Sequence, residues 1–366
     1  MIFWSLLVIS TILLLLPISS VGTTVANPPP PIPGDLIPIP GTGTPIGPAP
    51  APIQTVPIAP PVSVYSIDKI KSGLIGSDSL TDETLTKEQL LANPRYWSYD
   101  GSAVPQNAPF DLFKNSQGLF IGVKAVSNGN WAGYFAVTPN TDAVLFHSVI
   151  TTPVRTIPSN FYENGLYVQT SNGLINYVTC VSVTSSFGTV WAVASATGDT
   201  NQATQFKVYW VDTSPDQPLT RDCTIITNGN NYLKVYLDNV LVYESNNLDL
   251  QMPSPFNAFL EPQTSYAGQM LDGTYKDYYA TSDENIKVTN NPPLADSVKL
   301  VDPAGKVIAS APVVSGTAIL DIGKNHMPLN AYIKVYSSTN IQLASTKSPE
   351  NMYGGDAYSV NLNPGL

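Results

Sequence analysis

The chain has 366 residues, of which 43% are hydrophobic and only 12% are charged, and its formal net charge is −10 at pH 7. This length and apolar content predict more than one domain, and the shortage of charged residues is typical of extracellular β proteins with polar, uncharged surfaces. The acidic balance and the lack of a basic run exclude nucleic acid as an expected partner, because phosphate backbones are bound by clustered lysine and arginine.

Residues 1–26 have the pattern of a secretion signal. An apolar stretch runs from Ile2 to Ile18, and small residues with a small-x-small cleavage sequence at 24–26 follow it. No lysine or arginine precedes Lys69, so the usual basic start of a signal is missing, and an uncleaved short membrane anchor is the alternative. Either outcome predicts a secreted or cell-surface protein, which meets a membrane only through this segment and only if the segment is uncleaved.

Residues 27–63 are rich in proline, as in "NPPPPIPGDLIPIPG". Proline has no backbone N–H to donate, so such a segment cannot build a helix or a sheet ladder. We expect an extended polyproline linker that holds the following domains away from a surface.

One short helix is expected within "TKEQLLANP", where Thr86 and Gln89 have capping-box spacing and Asn93-Pro94 ends the helix. Beyond it, β-rich runs such as "LFIGVKAV", "AVLFHSVIT" and "GLINYVTCVSV" are divided by short clusters of Asn, Gly, Ser and Asp. Many short strands at this spacing predict an all-β antiparallel sandwich or barrel.

The stretch "LKVYLDNVLVYES" predicts a hairpin that turns at Asp238-Asn239. Strict alternation places the following residues on one buried face: Leu233, Val235, Leu237, Val240 and Val242. The other face, partly solvated or covered by a loop, then carries Lys234, Tyr236, Leu241 and Tyr243.

A pair of prolines at 292–293 divides the β-rich part of the chain in two. We therefore expect a large β domain over residues 64–291 and a small C-terminal β-sandwich over residues 297–362. Two cysteines are present in the whole chain, and an oxidising compartment favours a disulfide between Cys180 and Cys223, with two buried free thiols as the alternative.

The order of "WAGYFA", "VLFHSVITTP", "ENGLYVQTSNGLINYVTC", "NNYLKVYLDNVLVYES" and "FNAFLE" resembles the concanavalin A-like lectin and glucanase superfamily, in particular its laminin G-like jelly rolls. The resemblance covers roughly Ser77 to Asn290, and the tail resembles small modules attached to secreted archaeal proteins of this kind. It implies a jelly-roll sandwich with Cys180 on the concave sheet and Cys223 on the convex sheet.

The resemblance also implies carbohydrate binding on the concave face or its rim, by aromatic rings that stack on sugars and polar groups that bond to hydroxyls. The candidate ligand-binding residues are Trp131, Tyr134, Tyr167, Gln169, Tyr177, Trp191 and Tyr209. Alternation makes Tyr167 and Gln169 partners on one strand face, whereas a role as core or rim filler is the alternative for each tryptophan.

The function expected first is therefore a non-catalytic, lectin-like protein whose partner is a glycan or cell-surface polysaccharide. A structural envelope component is one alternative, and a secreted hydrolase of polysaccharide or protein is another. The "E-x-D-x-x-E" spacing of the glucanase branch is absent, and a serine triad would have only His147 and His326 to draw on.

A second resemblance supports the peptidase version of the hydrolase. The segments "NWAGY", "QT" and "NAFLE" occur in the order found in secreted glutamic peptidases, which implies Gln169 and Glu261 as the catalytic pair. The acid lies two residues later than in that family, a shift that keeps its strand face.

No cofactor is expected, apart from a candidate structural calcium ion. Calcium prefers carboxylate and carbonyl oxygens, and the acidic loops at 77–83, 99–101 and 282–284 could supply them. None of the three reproduces a specific calcium-binding spacing, so solvated loop carboxylates are the alternative.

Overall fold

The structure is a computed structural model that describes residues 64–75, 84–92, 108–134, 136–199, 203–214, 217–322 and 329–362. The predicted signal and linker, the two acidic loops at 77–83 and 99–101, and His326 lie outside the described residues. In the described part, helix α1 (Lys87–Ala92) is followed by strands alone, which confirms the all-β sandwich class. The predicted capping box is present: the Thr86 amide donates to Gln89 Oε1 at 2.8 Å, and the Gln89 amide donates to Thr86 Oγ1 at 3.4 Å.

Two seven-stranded antiparallel sheets form the sandwich, with strands numbered in chain order. The front sheet has the order β10-β9-β8-β7-β14-β4, with β5 also on β14, and the back sheet has the order β13-β12-β11-β6-β15-β3-β2. The front strands are β4 (Ala132–Gly133), β5 (Ala136–Thr141), β7 (Tyr162–Thr170), β8 (Tyr177–Ser185), β9 (Gly188–Gly198), β10 (Ala203–Asp212) and β14 (Phe256–Thr264). The back strands are β2 (Phe110–Asn115), β3 (Gly118–Val123), β6 (Leu145–Thr151), β11 (Thr220–Thr227), β12 (Leu233–Leu237), β13 (Val240–Ser245) and β15 (Leu271–Thr281).

The main core lies between these two sheets. Alternate residues of each strand fill it, as Tyr162, Leu166 and Val168 do from β7. The predicted disulfide is confirmed: Cys180 in β8 is bonded to Cys223 in β11, so a covalent bridge joins the front sheet to the back sheet.

The remaining strands form the C-terminal sheet, in the order β18-β17-β20-β21-β1-β23-β16-β19 with β22 on β20. They are β1 (Tyr65–Lys71), β16 (Asn285–Thr289), β17 (Ala295–Val301), β18 (Val307–Pro312), β19 (Ala318–Asp321), β20 (Leu329–Ser337), β21 (Gln342–Ser345), β22 (Glu350–Met352) and β23 (Ala357–Leu362). The division of the sequence at residue 291 assigns β1 and β16 to the first β domain, but both strands pair with β23. Strand pairing is not local, so the proline pair does not mark where one sheet ends.

The C-terminal sheet packs on the outward face of the back sheet. Leu145, Ile226, Tyr236 and Tyr279 of the back sheet are buried in one cluster with C-terminal residues such as Ile333. This packing covers the outward face of the back sheet. The outward face of the front sheet belongs to neither of these two cores.

The predicted hairpin is present, with Asp238 and Asn239 at positive φ, but its second strand departs from strict alternation. A register shift makes Val235 pair with Tyr243, so the ring of Tyr243 packs against the main core. Val240, expected in the core, is exposed. The cause is a β-bulge, which changes the parity of one strand relative to its partner.

Candidate functional site

The outward face of the front sheet carries a separate apolar cluster. Tyr167, Val181, Val183 and Ala192 are its buried members, and rings including Tyr177 and Phe259 pack against them. Its members come from outward positions of β7, β8, β9, β10 and β14, and from Phe161 just before β7, whereas the other faces of these strands fill the main core. It is therefore a second apolar surface of the same sheet.

Three of the seven predicted ligand residues meet on this face. Tyr167 packs edge-on against Tyr177, with ring centroids 5.5 Å apart, and Gln169 lies directly opposite Tyr177 across the β7–β8 ladder. Asn257 and Phe259 of β14 lie opposite Gln169 and Tyr167. We call these five residues the aromatic–amide patch; Tyr167 is buried and the other four are partly exposed.

The other four predicted residues lie elsewhere. Trp191 is fully buried in the main core, where its Nε1 donates to the Pro218 carbonyl at 3.0 Å, so its assignment to an exposed binding face is wrong. Trp131 is half-buried just before β4.

Two tyrosines complete the predicted set. Tyr134 is buried against Phe110, with the ring centroids 4.1 Å apart. Tyr209 is half-buried and stacks on Tyr243 of the back sheet at 4.8 Å, with its hydroxyl 2.8 Å from Ser195 Oγ. Tyr134 belongs to the main core and Tyr209 packs against it, so neither joins the aromatic–amide patch.

Gln169 and Glu261, the predicted catalytic pair of a glutamic peptidase, lie far apart on the front sheet. Glu261 lies opposite Gly165, whereas Gln169 lies four residues further along β7 and faces Asn257. Four residues of strand span about 13 Å, too far for two side chains to share one water molecule. The Gln169 amide is instead committed to the Leu174 carbonyl at 3.0 Å.

A pair of glutamates that the sequence reasoning did not find lies beside the patch. Glu163 of β7 faces Gln263 of β14, and Glu261 is two residues from Gln263 on the same face. Both carboxyls are almost completely buried, at 3% and 6% exposure. Glu163 precedes Tyr167 and Gln169 with the same parity, which is the one signal in the sequence that could have pointed to it.

The pKa of both carboxyls is raised to about 8, by burial in each case and, for Glu163, also by the neighbouring charge of Glu261. The Gln263 amide donates to Glu163 Oε2 at 3.4 Å, which opposes that shift. Burial raises the pKa of the Tyr167 hydroxyl, and the nearby charges of Glu163 and Glu261 raise it as well, so the two carboxyls adjoin the patch.

No group of three or more His, Cys, Asp or Glu side chains among the described residues is arranged to hold a metal ion. In the loop at 282–284, Asp283 Oδ1 accepts the backbone amides of Glu284 and Asn285, and Glu284 pairs with Lys234 at 3.0 Å. In the same described part, no helix is long and apolar enough to cross a membrane.

No protein-family model matches the chain, and a search of curated proteins finds no match. Solved structures of similar shape include the carbohydrate-binding module CBM66 from Bacillus subtilis, with a TM-score of 0.30 and 10% identity over 51% of this chain and 95% of that one. LamAcat from Zobellia galactanivorans has a TM-score of 0.38 and 12% identity over 57% and 97% of the two chains. Beta-agarase A in complex with oligoagarose has a TM-score of 0.39 and 9% identity over 58% and 93%. At these scores the likenesses carry no argument, and the fold rests on the strand pairings above.

Proposed function

We propose that this protein is an extracellular carbohydrate-binding protein whose ligand lies on the outward face of the front sheet. The observation that supports it is the aromatic–amide patch. Partly exposed rings of Tyr177 and Phe259 can stack on the apolar face of a sugar. Gln169 Oε1, whose Nε2 donates to the Leu174 carbonyl, can accept a hydrogen bond from a sugar hydroxyl, and the amide of Asn257 lies opposite it.

The location outside the cell is supported by the disulfide between Cys180 and Cys223, because such bridges persist in oxidising compartments. The apolar segment from Ile2 to Ile18 is the proposed export signal or anchor. The partner that fits is a glycan or a cell-surface polysaccharide, since the patch combines flat rings with uncharged hydrogen-bonding groups.

Binding of the purified chain to an array of polysaccharides tests the proposal. We expect Tyr177→Ala to weaken the binding of any captured polysaccharide about tenfold, because it removes one stacking ring. Tyr332→Ala, a change of a half-buried tyrosine in the C-terminal sheet, is the matched control and should leave the affinity unchanged. Binding to no glycan at all, or equal binding by both variants, would contradict the proposed site.

A further inference from the structure

Lys69 and Asp356 bring the first and the last strand of the C-terminal sheet into side-chain contact. β1 pairs with β23, and Lys69 lies directly opposite Tyr358 in that pairing. Lys69 Nζ extends over the Tyr358 ring, 5.3 Å from its centre, and lies 2.8 Å from Oδ2 of Asp356. The two residues are 287 positions apart in the sequence, so a bond between them would close most of the chain into one loop.

The carboxyl group of Asp356 is fully buried, and backbone amides fix both of its oxygens. The Gly73 amide donates to Oδ1 at 2.8 Å, and the Tyr353 amide donates to Oδ2 at 3.0 Å. A Cβ atom at Gly73 would collide with the Gly354 carbonyl oxygen, so only glycine allows the chain to come this close. Backbone N–H groups aimed at a carboxyl oxygen stabilise the negative charge that develops there when a nucleophile adds to the carbon.

The amine of Lys69 is held within reach of the carboxyl carbon of Asp356. Nζ also donates to the Asn351 carbonyl at 3.3 Å, and this second contact restricts where the amine can move. A nitrogen 2.8 Å from one carboxyl oxygen is roughly 3.5 Å from the carbon, which is the separation of two groups that are positioned to react. Amide formation between free groups in water is unfavourable, but groups held in such a geometry reach effective concentrations on the order of 10⁵ M.

The Tyr358 hydroxyl is an unsatisfied polar group beside this pair. It is buried and has no hydrogen-bond partner in the part of the chain that the structure describes. Burial raises the pKa of the hydroxyl, and the nearby charges of Asp356 and Glu350 raise it as well, so it adjoins both carboxyl groups in its neutral form. A neutral hydroxyl at this position can accept a proton from one group and donate its own to another.

We propose that Lys69 and Asp356 react to form an isopeptide bond between the first and the last strand of the C-terminal sheet. The ammonium first gives a proton to the carboxylate, which leaves a neutral amine and a neutral acid in a site shielded from water. The lone pair of Nζ then forms a bond to the Asp356 Cγ atom, and the bond from Cγ to Oδ2 breaks. Oδ2 leaves as water with two protons of the original ammonium, and the third proton stays on the amide nitrogen, so no other reactant is needed.

The bond gives the C-terminal sheet a mechanical role that does not depend on glycan binding. β1 is the first described strand, and the residues before it are the proposed linker and the proposed export signal or anchor. Force on an anchored chain reaches β1 first and pulls it away from β21 and β23. An isopeptide bond passes this force to the last strand through covalent bonds, so the two strands stay joined when their hydrogen bonds open.

Mass spectrometry of a digest tests the proposal. The folded full chain is incubated until its mass no longer changes, and it is then reduced, denatured and cut with a protease that cleaves before aspartate, which releases residues 68–77 as one peptide. We expect this peptide to be joined to the C-terminal peptide that contains Asp356, with a mass one water molecule below the sum of the two. Reduction separates Cys180 from Cys223 beforehand, so the disulfide does not contribute to the joined product.

Two variants locate the bond. Lys69→Arg keeps the positive charge, but a guanidinium is always protonated and does not form the amide, so the joined peptide should be absent. Lys71→Arg changes an exposed lysine of the same strand and should keep the joined peptide in full.

Two results would overturn the proposal. A wild-type digest in which residues 68–77 occur only as a free peptide would show that the two side chains remain an ion pair. A joined peptide that persists in Lys69→Arg would place the bond on another residue. The wild-type digest decides the first point by itself, even if Lys69→Arg does not fold.

Discussion

Two buried carboxyl groups show how differently the front sheet and the C-terminal sheet treat a negative charge. Asp356, at the start of the C-terminal sheet's last strand, has no exposed surface and accepts Lys69 Nζ at 2.8 Å and the backbone amides of Gly73 and Tyr353 at 2.8 Å and 3.0 Å. Glu261 is buried almost as deeply, yet its Oε1 has no partner among the described residues. Asp356 therefore has the donors that a buried carboxylate needs, whereas Glu261 Oε1 receives no hydrogen bond from the described residues.

The outward faces of the two sandwich sheets differ in the same way. On the back sheet, His147 lies 3.2 Å from Asp222 Oδ1 and 2.9 Å from Thr224 Oγ1 and stacks on Tyr279, under the C-terminal sheet. On the front sheet, the charge of Glu261 acts on Glu163, and neither glutamate forms a salt bridge with any residue in the described part of the chain. The outward face of the back sheet therefore carries paired polar side chains beneath the C-terminal sheet. The outward face of the front sheet carries two carboxyls without such pairing among the described residues.

The largest expected effect, which tests the contrast between the two sheets, is a fall in the free energy of unfolding as the pH rises. Burial raises the folded pKa of Glu163 and Glu261 to about 8, above the unfolded value near 4.5, so the unfolded chain loses protons at lower pH than the folded chain. The free energy of unfolding should be highest below about pH 4.5 and should fall by several kcal/mol up to about pH 8. Urea unfolding of the wild type at pH 4, 6 and 8 measures it.

The double variant Glu163→Gln with Glu261→Gln should lose most of this pH dependence, and Glu244→Gln should keep it. Parallel pH curves for the wild type and the double variant would mean that the two carboxyls are not held in their protonated form by the fold.

An intermediate effect is expected from replacing Asp356, the buried carboxylate that accepts three hydrogen bonds. Asp356→Ala removes a fully buried carboxylate that pairs with Lys69, and it leaves two backbone amides without an acceptor, so the free energy of unfolding should fall by about 3 kcal/mol. Asp68→Ala, which changes an exposed carboxylate of the same sheet, should cost about 0.5 kcal/mol or less. Equal losses in urea unfolding would remove the distinction between the two kinds of carboxylate.

The smallest effect concerns the aromatic–amide patch. Tyr177 is partly exposed and packs edge-on against Tyr167, so Tyr177→Ala should lower the free energy of unfolding by about 1 kcal/mol. Thermal unfolding followed by circular dichroism would check it. A loss of several kcal/mol would instead make Tyr177 part of the core, and its effect on glycan binding would then be indirect.

Much of the architecture could be predicted from local patterns. The capping box at Thr86, the turn at Asp238-Asn239 and the shared face of Tyr167 and Gln169 each depend on residues a few positions apart. Trp191 shows where such reasoning stops, because alternation identifies the residues that share a face but not which face meets the other sheet. On β9 the inward face carries Trp191 and the outward face carries alanines such as Ala192, and both faces are apolar.

Glu163 and Glu261 likewise become neighbours for a reason that no short stretch of the sequence contains. Glu163 and Glu261 become neighbours only through the register of β7 with β14, and β1 joins the last strand of the chain only through pairing across nearly 300 residues. Hydrophobic alternation and turn residues act over a few positions, so the amino-acid order alone specified strands, turns and an all-β class. The choice of neighbouring strands, their register and the covering of one face by another sheet depend on contacts between distant segments, and these contacts bring the members of the aromatic–amide patch together.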